Sequence, residues 1–318
     1  MPKFSIAIPA FKSIFLRKAI DSVLNQSITD FELIILNDCS PEAIDDIVYS
    51  YDDKRIRYLK NACNTGVVNL VDNWNKCVEY ARGDYFLCMG DDDILLPSCL
   101  EEYDKLINKY PFLEVFHGQT MIIDENDNLI SAPFSRPEWE SVFELIYFRL
   151  LGRKQFVGDF LYRTSFLKKK GFYKLPAAWG TDEITAVIAA SEKGIANTHN
   201  VCFLYRSNPL SISSSGNIMI KIDSVEQEER WYMNFIKSTK NEEGIISYKK
   251  IIQKEIGKAY KKKKLRLIAD DLMYKPLHFF KWLKAAGKYN LSSSMILYAL
   301  FMSLRDLISI SYQKKHEQ

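Results

Sequence analysis

Cys88-Met89-Gly90-Asp91-Asp92-Asp93-Ile94-Leu95-Leu96-Pro97 is the stretch around which this 318-residue chain is organised. The apolar run Tyr85-Phe86-Leu87-Cys88-Met89 leads into it as a short buried strand, and Pro97 opens a helical pattern that reaches Tyr110. Proline suits a first helical turn, where its missing N–H has no partner to lose. The three carboxylates thus fall at the carboxyl end of a strand, in a strand-to-helix turn, where open α/β sheets bind ligands. Adjacent carboxylates repel and stay ionised together only when solvated or when a cation lies among them. Their hard oxygens suit Mg²⁺ or Mn²⁺, which one or two carboxylates hold together with substrate phosphates. The competing reading is a solvated acidic turn that caps the next helix, because Asp favours helix starts.

Upstream of the triplet, strands and helices alternate. Residues 3–9 (KFSIAIP) and 31–36 (FELIIL) read as apolar strands, and residues 56–59 as a third. Helical spacing separates them: Leu16, Ala19, Ile20, Val23 and Leu24 in one helix, a second from Pro41 to about Tyr51, and Leu70, Val71, Trp74, Cys77 and Val78 in a third. Gly83 ends that third helix as a C-cap. The order βαβαβαβ with apolar strands argues for a parallel sheet covered on both faces. No Gly-x-Gly-x-x-Gly follows the first strand and no P-loop occurs anywhere, so any diphosphate must be neutralised by other means, a metal on the carboxylates above all.

Downstream, strands are expected at 112–117, 120–124, 129–131, 156–163 and 200–206, with a hairpin turn at Glu125-Asn126-Asp127-Asn128. Helices are expected at 141–151, 164–170 and from Asp182 to about Lys193. Beyond about residue 216 the pattern becomes long, charged and helical, with the run Lys261 to Lys264, and then aromatic and apolar from Pro276 to Ile310. The composition, 47% hydrophobic and 26% charged, is that of a globular protein with one large core and an appendage.

The net charge of +3 hides an asymmetry: from Lys240 onward 17 Lys and Arg face 7 Asp and Glu. A basic, aromatic-rich tail on an acidic body suggests an anionic surface as partner. An interfacial helix in a membrane is preferred over packing on the catalytic body or on another subunit. Nucleic acid is disfavoured, because the lysines interleave with helix-period apolar residues. The expected location is cytoplasmic, peripheral on the inner face of the plasma membrane, since no leader-like segment or spanning apolar run is found. The six cysteines, at 39, 63, 77, 88, 99 and 202, include no Cys-x-x-Cys pair and are expected to be reduced and buried.

These residues resemble glycosyltransferase family 2. The resemblance rests on Ile8-Pro9-Ala10-Phe11, Leu36-Asn37-Asp38-Cys39-Ser40, Asn64-Thr65-Gly66, Ala81-Arg82-Gly83-Asp84-Tyr85 and Gly90-Asp91-Asp92-Asp93. It continues in Thr181-Asp182-Glu183 and in Leu204-Tyr205-Arg206 with Ser211-Ile212-Ser213. It implies an α/β, GT-A nucleotide-diphospho-sugar transferase fold, with a mostly parallel central sheet and flanking helices over residues 1–215, and a helical, basic appendage over 216–318. The implied activity is inverting transfer of a sugar from a nucleotide-diphosphate donor, a UDP-sugar, to a saccharide or polyprenyl-linked acceptor in surface-polysaccharide or lipopolysaccharide assembly.

The resemblance also assigns roles. Mn²⁺ or Mg²⁺ would be held by Asp91 and Asp93, with Asp92 on sugar or ribose hydroxyls. Pro9, Ala10, Phe11, Asp38, Asn64 and Gly66 would form the nucleotide site, Asp38 accepting from a uracil N–H. Asp182, or else Glu183, would be the general base. Two departures stand out: no cation follows Asn73 directly in the helix after Asn64-Thr65-Gly66, and the acidic pair reads Asp182-Glu183 where Glu-Asp is usual. Lys12, Arg153 or Arg206 would then meet the diphosphate, and His199 is a weaker candidate for a late metal ligand. Two other functions compete. A sugar nucleotidyltransferase lacks its Gly-rich basic loop here, and a non-catalytic scaffold does not account for both acidic motifs.

Overall fold

The computed structural model describes residues 1–132, 134–208, 217–239 and 245–316. Ser211-Ile212-Ser213 lies outside the described residues. The chain forms two compact units, Met1–Ser215 and Gly216–Gln318.

The first unit begins with β1 (Phe4–Ala10), α1 (Leu16–Leu24), β2 (Phe31–Asn37), α2 (Ile44–Tyr49), β3 (Ile56–Lys60), α3 (Leu70–Tyr80) and β4 (Tyr85–Cys88). It goes on through β5 (Ile94–Leu95), α4 (Cys99–Lys109), β6 (Val115–Ile123), β7 (Leu129–Ser131), β8 (Trp139–Glu140) and α5 (Val142–Leu150). It closes with β9 (Phe160–Arg163), α6 (Thr164–Lys170), α7 (Thr181–Ala190) and β10 (Ile195–Arg206). One sheet runs β3-β2-β1-β4-β9-β6-β10-β5, with β7 on β6 and β8 on β10. β3, β2, β1 and β4 are mutually parallel, as the alternation upstream of the triplet requires. β9 then inserts antiparallel between β4 and β6, so the second half of the sheet is mixed.

β1 and β2 are buried along nearly their whole length, which is why they read as continuous apolar runs. Ile6, Leu33, Ile35 and Leu87 sit in one core with Leu16, Ile20 and Val23 of α1. Each such fully buried side chain contributes about 1.5–3 kcal/mol. Two buried polar residues break the pattern for a reason. Ser5 Oγ donates to Glu32 (2.6 Å), which also takes Arg57 Nη1 (2.5 Å) and the Arg82 N–H (2.6 Å). Burial opposes the charge on Glu32, but these donors outweigh it and hold the carboxyl below its ordinary range. Gly83 donates its N–H to Ser5 Oγ (2.8 Å), and a Cβ there would lie 2.7 Å from the Phe4 and Ser5 backbone. The end of α3 is thereby clipped onto β1, and β4 starts in register beside it.

Tertiary pairing moves several expected boundaries. After the triplet the chain first forms β5, whose Leu95 pairs antiparallel with Phe203, and Leu96 N–H donates to Cys202 O (2.8 Å). The helix therefore starts at Cys99, two residues after Pro97. The strand expected at 112–117 runs from Val115 to Ile123 and absorbs the next one; the hairpin turn leads into β7 as anticipated. Val157–Asp159 is a 3₁₀ turn that shortens β9, and β10 begins at Ile195. Ser141 caps α5 in a capping box with Glu144.

The second unit contains α8 (Ile218–Ser238), α9 (Ile245–Tyr274), α10 (His278–Ala285) and α11 (Ser293–His316). Its core joins Ile222, Ile268, Leu272, Trp282, Tyr289 and Ile296. The four-lysine run is not wholly a surface patch. Lys263 reaches Glu228 (2.7 Å), and Lys264, itself buried, reaches Glu226 and Glu229 on α8. Among the described residues no helix is long and apolar enough to cross a membrane. All six cysteines are free; Cys77, Cys88, Cys99 and Cys202 are buried, whereas Cys63 is exposed and Cys39 partly so, against the expectation of burial.

Candidate active site

The acidic triplet follows β4 and is pinned from two sides. Asp91 Oδ2 accepts the backbone N–H groups of Phe11 and Lys12, both at 2.7 Å, which ties it to the turn after β1. Asp93 accepts the N–H of Arg206 (2.9 Å) and of Gly90 (3.2 Å). Asp92 projects differently: Asn208 Nδ2 donates to it (2.8 Å), and Lys12 Nζ lies 3.8 Å away. Asp91 and Asp93 are buried while Asp92 is partly exposed. Burial and the neighbouring Asp92 charge push Asp91 up to about 6 and Asp93 well above the ordinary carboxylate range. Gly90 makes room, since a Cβ there would meet Asp92 Oδ1 at 2.7 Å and Asp93 Oδ2 at 2.8 Å.

This donor set fits a hard divalent ion only in part. Among the described residues no three His, Cys, Asp or Glu side chains are grouped to hold a metal by themselves. Partly exposed Asp92 beside Asp91 offers the one or two carboxylates that Mg²⁺ or Mn²⁺ needs when substrate phosphates supply the remaining oxygens.

On the nucleotide side, Pro9 and Ala10 end β1 and Phe11 is exposed just beyond them. Asp38, buried, has both carboxylate oxygens engaged. They accept from Asn61 Nδ2 (2.7 Å), Thr65 Oγ1 (2.7 Å), Thr65 N–H (3.0 Å) and Asn64 Nδ2 (3.2 Å). Asp38 thus anchors the Asn64-Thr65-Gly66 loop, and a uracil N–H would have to displace one of these donors. Gly66 adopts φ 72°, a conformation side chains disfavour, and its N–H donates to Asn64 Oδ1 (2.7 Å). The cation missing beside Asn73 comes one turn later: Lys76 Nζ donates to Asn61 Oδ1 (2.5 Å), next to the Asp38 cluster.

The acidic pair opens α7 after a strained approach. Ala177 and Ala178 both have positive φ (54° and 55°), as does Gly180 (89°). A left-handed non-glycine residue costs about 1–2 kcal/mol, and such strain concentrates at functional sites. Glu183 is buried and paired with Arg149. Asp182 is partly exposed. Burial and the adjacent Glu183 charge raise its carboxyl to about 7, with Arg149 pulling the other way. The pair is therefore divided into one carboxylate held by an arginine and one poised to exchange a proton near neutrality.

Asp159, which the motif reading did not single out, interacts electrostatically with both acidic groups. Burial pushes it up to about 7, helped by the Asp182 charge, and its own charge in turn raises Asp93. It sits in a 3₁₀ turn inside a segment expected to be strand, so no motif marks it. Two cations expected at the diphosphate are committed elsewhere. Arg206, fully buried, donates to Asp92 O (2.8 Å), Asp124 O (2.9 Å) and Asp127 Oδ1 (2.5 Å). Arg153 forms a two-pronged pair with Glu140 (2.8 and 3.0 Å). Lys12, which borders the triplet, is the member of that set at the acidic cluster. His199 is exposed beside Glu138 (3.4 Å), seven positions before Arg206 and hence about 20 Å along the strand from the triplet's end of β10.

Comparison with known proteins accords with this geometry. A family model described as Glycosyl transferase family 2 matches residues 5–169. A Methanocaldococcus jannaschii protein described as an uncharacterized glycosyltransferase is 33% identical over 119 residues, 36% of this chain and 40% of that protein. The GalNAc(5)-diNAcBac-PP-undecaprenol beta-1,3-glucosyltransferase of Campylobacter jejuni is 29% identical over 224 residues, 68% of this chain and 70% of that one. The crystal structure of S. aureus TarS 1–349 in complex with UDP-GlcNAc superposes with a TM-score of 0.68 at 16% identity, covering 99% of this chain and 92% of that one. That likeness shows the GT-A fold. With more than half of its length matched, the chain belongs to glycosyltransferase family 2.

Proposed function

We propose that this protein is an inverting, metal-dependent glycosyltransferase. It moves a hexosyl or N-acetylhexosaminyl group from a UDP-sugar to a saccharide or lipid-linked saccharide acceptor in cell-surface polysaccharide or lipopolysaccharide assembly. One observation carries the reading: Asp182, a partly exposed carboxylate near neutrality at the start of α7, and the acidic triplet both interact electrostatically with the buried Asp159. Asp182 takes the proton of the acceptor hydroxyl. The acceptor oxygen bonds to the anomeric carbon as the bond from that carbon to the diphosphate oxygen breaks, and attack from the opposite face inverts the centre. Glu183, held by Arg149, keeps Asp182 in place and tunes it. Lys12 draws the diphosphate toward the triplet. The resemblance puts the ion on Asp91 and Asp93; because backbone amides engage Asp91 Oδ2 and both Asp93 oxygens, we place Mg²⁺ or Mn²⁺ on Asp92 with Asp91 beside it, where it would take up charge on the leaving diphosphate. Asp38 shapes the base site by holding Asn64 and Gly66 beside Pro9, Ala10 and Phe11. The choice of a UDP-sugar and of a lipid-linked acceptor is supported by the titles of the TarS complex and the Campylobacter enzyme.

A panel of nucleotide sugars, with and without Mn²⁺, tests this on the wild type and Asp92→Ala. A single UDP-sugar turned over only with metal, and lost in Asp92→Ala, is the expected result. No binding of any nucleotide sugar by the folded protein would instead favour a scaffold on this fold.

The second unit supports a membrane-surface location. Leu297, Phe301, Leu304 and Ile308 of α11 are all exposed and recur at the spacing of one helical face, with Tyr298 beside them. Leu277 and Phe280 are exposed near Lys275, Lys281 and Lys284. An apolar face flanked by lysines suits an anionic bilayer interface. Phe301→Asp with Leu304→Asp should abolish co-sedimentation with anionic vesicles; unchanged binding would remove this part of the proposal.

A further inference from the structure

The first unit has an open cavity of about 420 Å³ beside Asp159, between β6, residues 131–132 and 134–137, and the loop after α5. Its volume falls within the range of small-molecule sites. Phe134, exposed at the rim, and Phe148 give it apolar faces of the kind a sugar ring packs on. Its polar wall is unusual. Arg136 is 6% exposed, and its Nη2 donates to Lys154 O (3.2 Å). His117 is 1% exposed, and among the described residues neither its ring nitrogens nor Arg136 Nη1 has a hydrogen-bond partner. Buried donors left unpaired cost about 1–3 kcal/mol each, so ordered water or a ligand meets such groups in natural cavities.

The charge balance points the same way. Arg136 and Arg153 share one fully buried carboxylate, Glu140. Arg153 takes both of its oxygens, and Arg136 Nη1 stands 3.7 Å off. Burial and the neighbouring Arg153 lower Arg136 to about 9, which marks positive charge short of a counterion. Burial, Arg136 and Arg153 hold His117 well below its ordinary range, so it is neutral and can both donate and accept. Asp159 is the other acid on the wall, 3.6 Å from His117 Nε2. Its oxygens accept from Thr120 Oγ1 and the Phe156 N–H, and at about 7 it carries only part of a charge at neutral pH. Exposed Lys154 adds a cation at the rim.

We propose that this cavity seats an acidic sugar residue of the acceptor, one bearing a carboxylate or phosphate that docks on Arg136 Nη1 and His117. The cavity supplies the charge complement by itself; that its occupant is the acceptor rests on the transferase reading above, and on Asp159 being shared with the reaction centre.

The test titrates the full-length protein with methyl glucuronide, glucose 1-phosphate and neutral methyl glucoside by ligand-observed NMR, with UDP titrated in parallel. One or both anionic sugars should bind at least about tenfold more tightly than the glucoside. A carboxylate-only or phosphate-only preference names the substituent. Arg136→Gln should erase the preference and leave UDP binding unchanged. Phe134→Ala, at an exposed position where folding is not at stake, should weaken binding of the anionic sugars several-fold. Equal binding of glucoside and anionic sugars, binding of UDP but of no sugar, or unchanged sugar binding in Phe134→Ala would overturn the proposal. If the anionic preference holds while UDP fails to bind, the transferase reading falls and the acidic-sugar site remains.

Discussion

Replacing Glu183 by Gln tests the assignment of the base through its titration. Asp182 stands at about 7 because burial and the Glu183 charge both disfavour its ionised form, while Arg149 favours it. A base of that pKa is about one-tenth ionised at pH 6 and about nine-tenths at pH 8, so wild-type kcat/KM should climb roughly tenfold over that interval. Removing the Glu183 charge takes away the like-charge contribution and also removes the carboxylate partner of Arg149 Nη2. Both changes favour ionised Asp182, and the inflection should fall by on the order of one pH unit. Asp182→Asn should lose about 10²–10⁴ in kcat/KM across the range. The same shift has a stability consequence. Because the folded pKa lies above the unfolded one, Asp182 favours folding fully below about pH 4, and that contribution is lost as pH rises through about 7. Asp182→Asn should therefore melt higher than wild type near pH 8, by on the order of 1–2 kcal/mol after allowing for partial exposure, and no higher near pH 4. The assay is initial-rate UDP-sugar turnover against pH, beside thermal denaturation. An inflection that stays put or rises in Glu183→Gln, or an Asp182→Asn enzyme with wild-type rates, would refute the assignment.

Gly90→Ala should abolish UDP-sugar binding, measured by calorimetry, because the new Cβ collides with Asp92 and Asp93; far-ultraviolet circular dichroism should stay native. Asp91→Ala should cost about 1–3 kcal/mol in urea denaturation by stranding the Phe11 and Lys12 amides. Asp92→Ala, which strands no backbone donor in the described contacts, should stay within about 1 kcal/mol of wild type while losing turnover. Arg206→Met should destabilise by about 1–3 kcal/mol, since it leaves the part-buried carbonyls of Asp92 and Asp124 without their shared donor, while Asp127 keeps Lys18. A Tm close to wild type would contradict that role.

The parallel half of the sheet was legible because its strands are buried on both faces and write continuous apolar runs. β5 was not legible: two residues carry no periodicity, and only the far strand β10 makes them a strand. The triplet and the Asp182-Glu183 pair were visible as motifs, but the division of labour within each is a property of burial. Asp38 looks from sequence like a ligand contact and in three dimensions holds a loop. Arg206 looks like a phosphate contact and is wholly internal. The lysine run looks like a basic patch, yet half of it faces glutamates on α8, because residues 35 apart meet across two helices. Asp159 and Arg136 had no signal at all. Each is a lone charged residue, Asp159 in a segment expected to be strand and Arg136 in one with no periodicity, and what distinguishes them is the low-dielectric place to which the fold takes them.

Burial also answers how three adjacent carboxylates can be held together. Their mutual repulsion would favour a splayed, solvated turn. Instead Asp91 is tied by two amides of the turn after β1, and Asp93 by the amide of Arg206 at the end of β10, so the outer members are fixed to two different elements. The Arg206 side chain then grips the Asp92 carbonyl from below and, through Asp127, the turn before β7. Backbone donors set the positions of Asp91 and Asp93 and offset part of the rise in pKa that burial and Asp92 impose, and Asp92 is left partly exposed. An incoming cation would relieve the repulsion without reorganising the turn, which is the preorganisation that charge stabilisation requires.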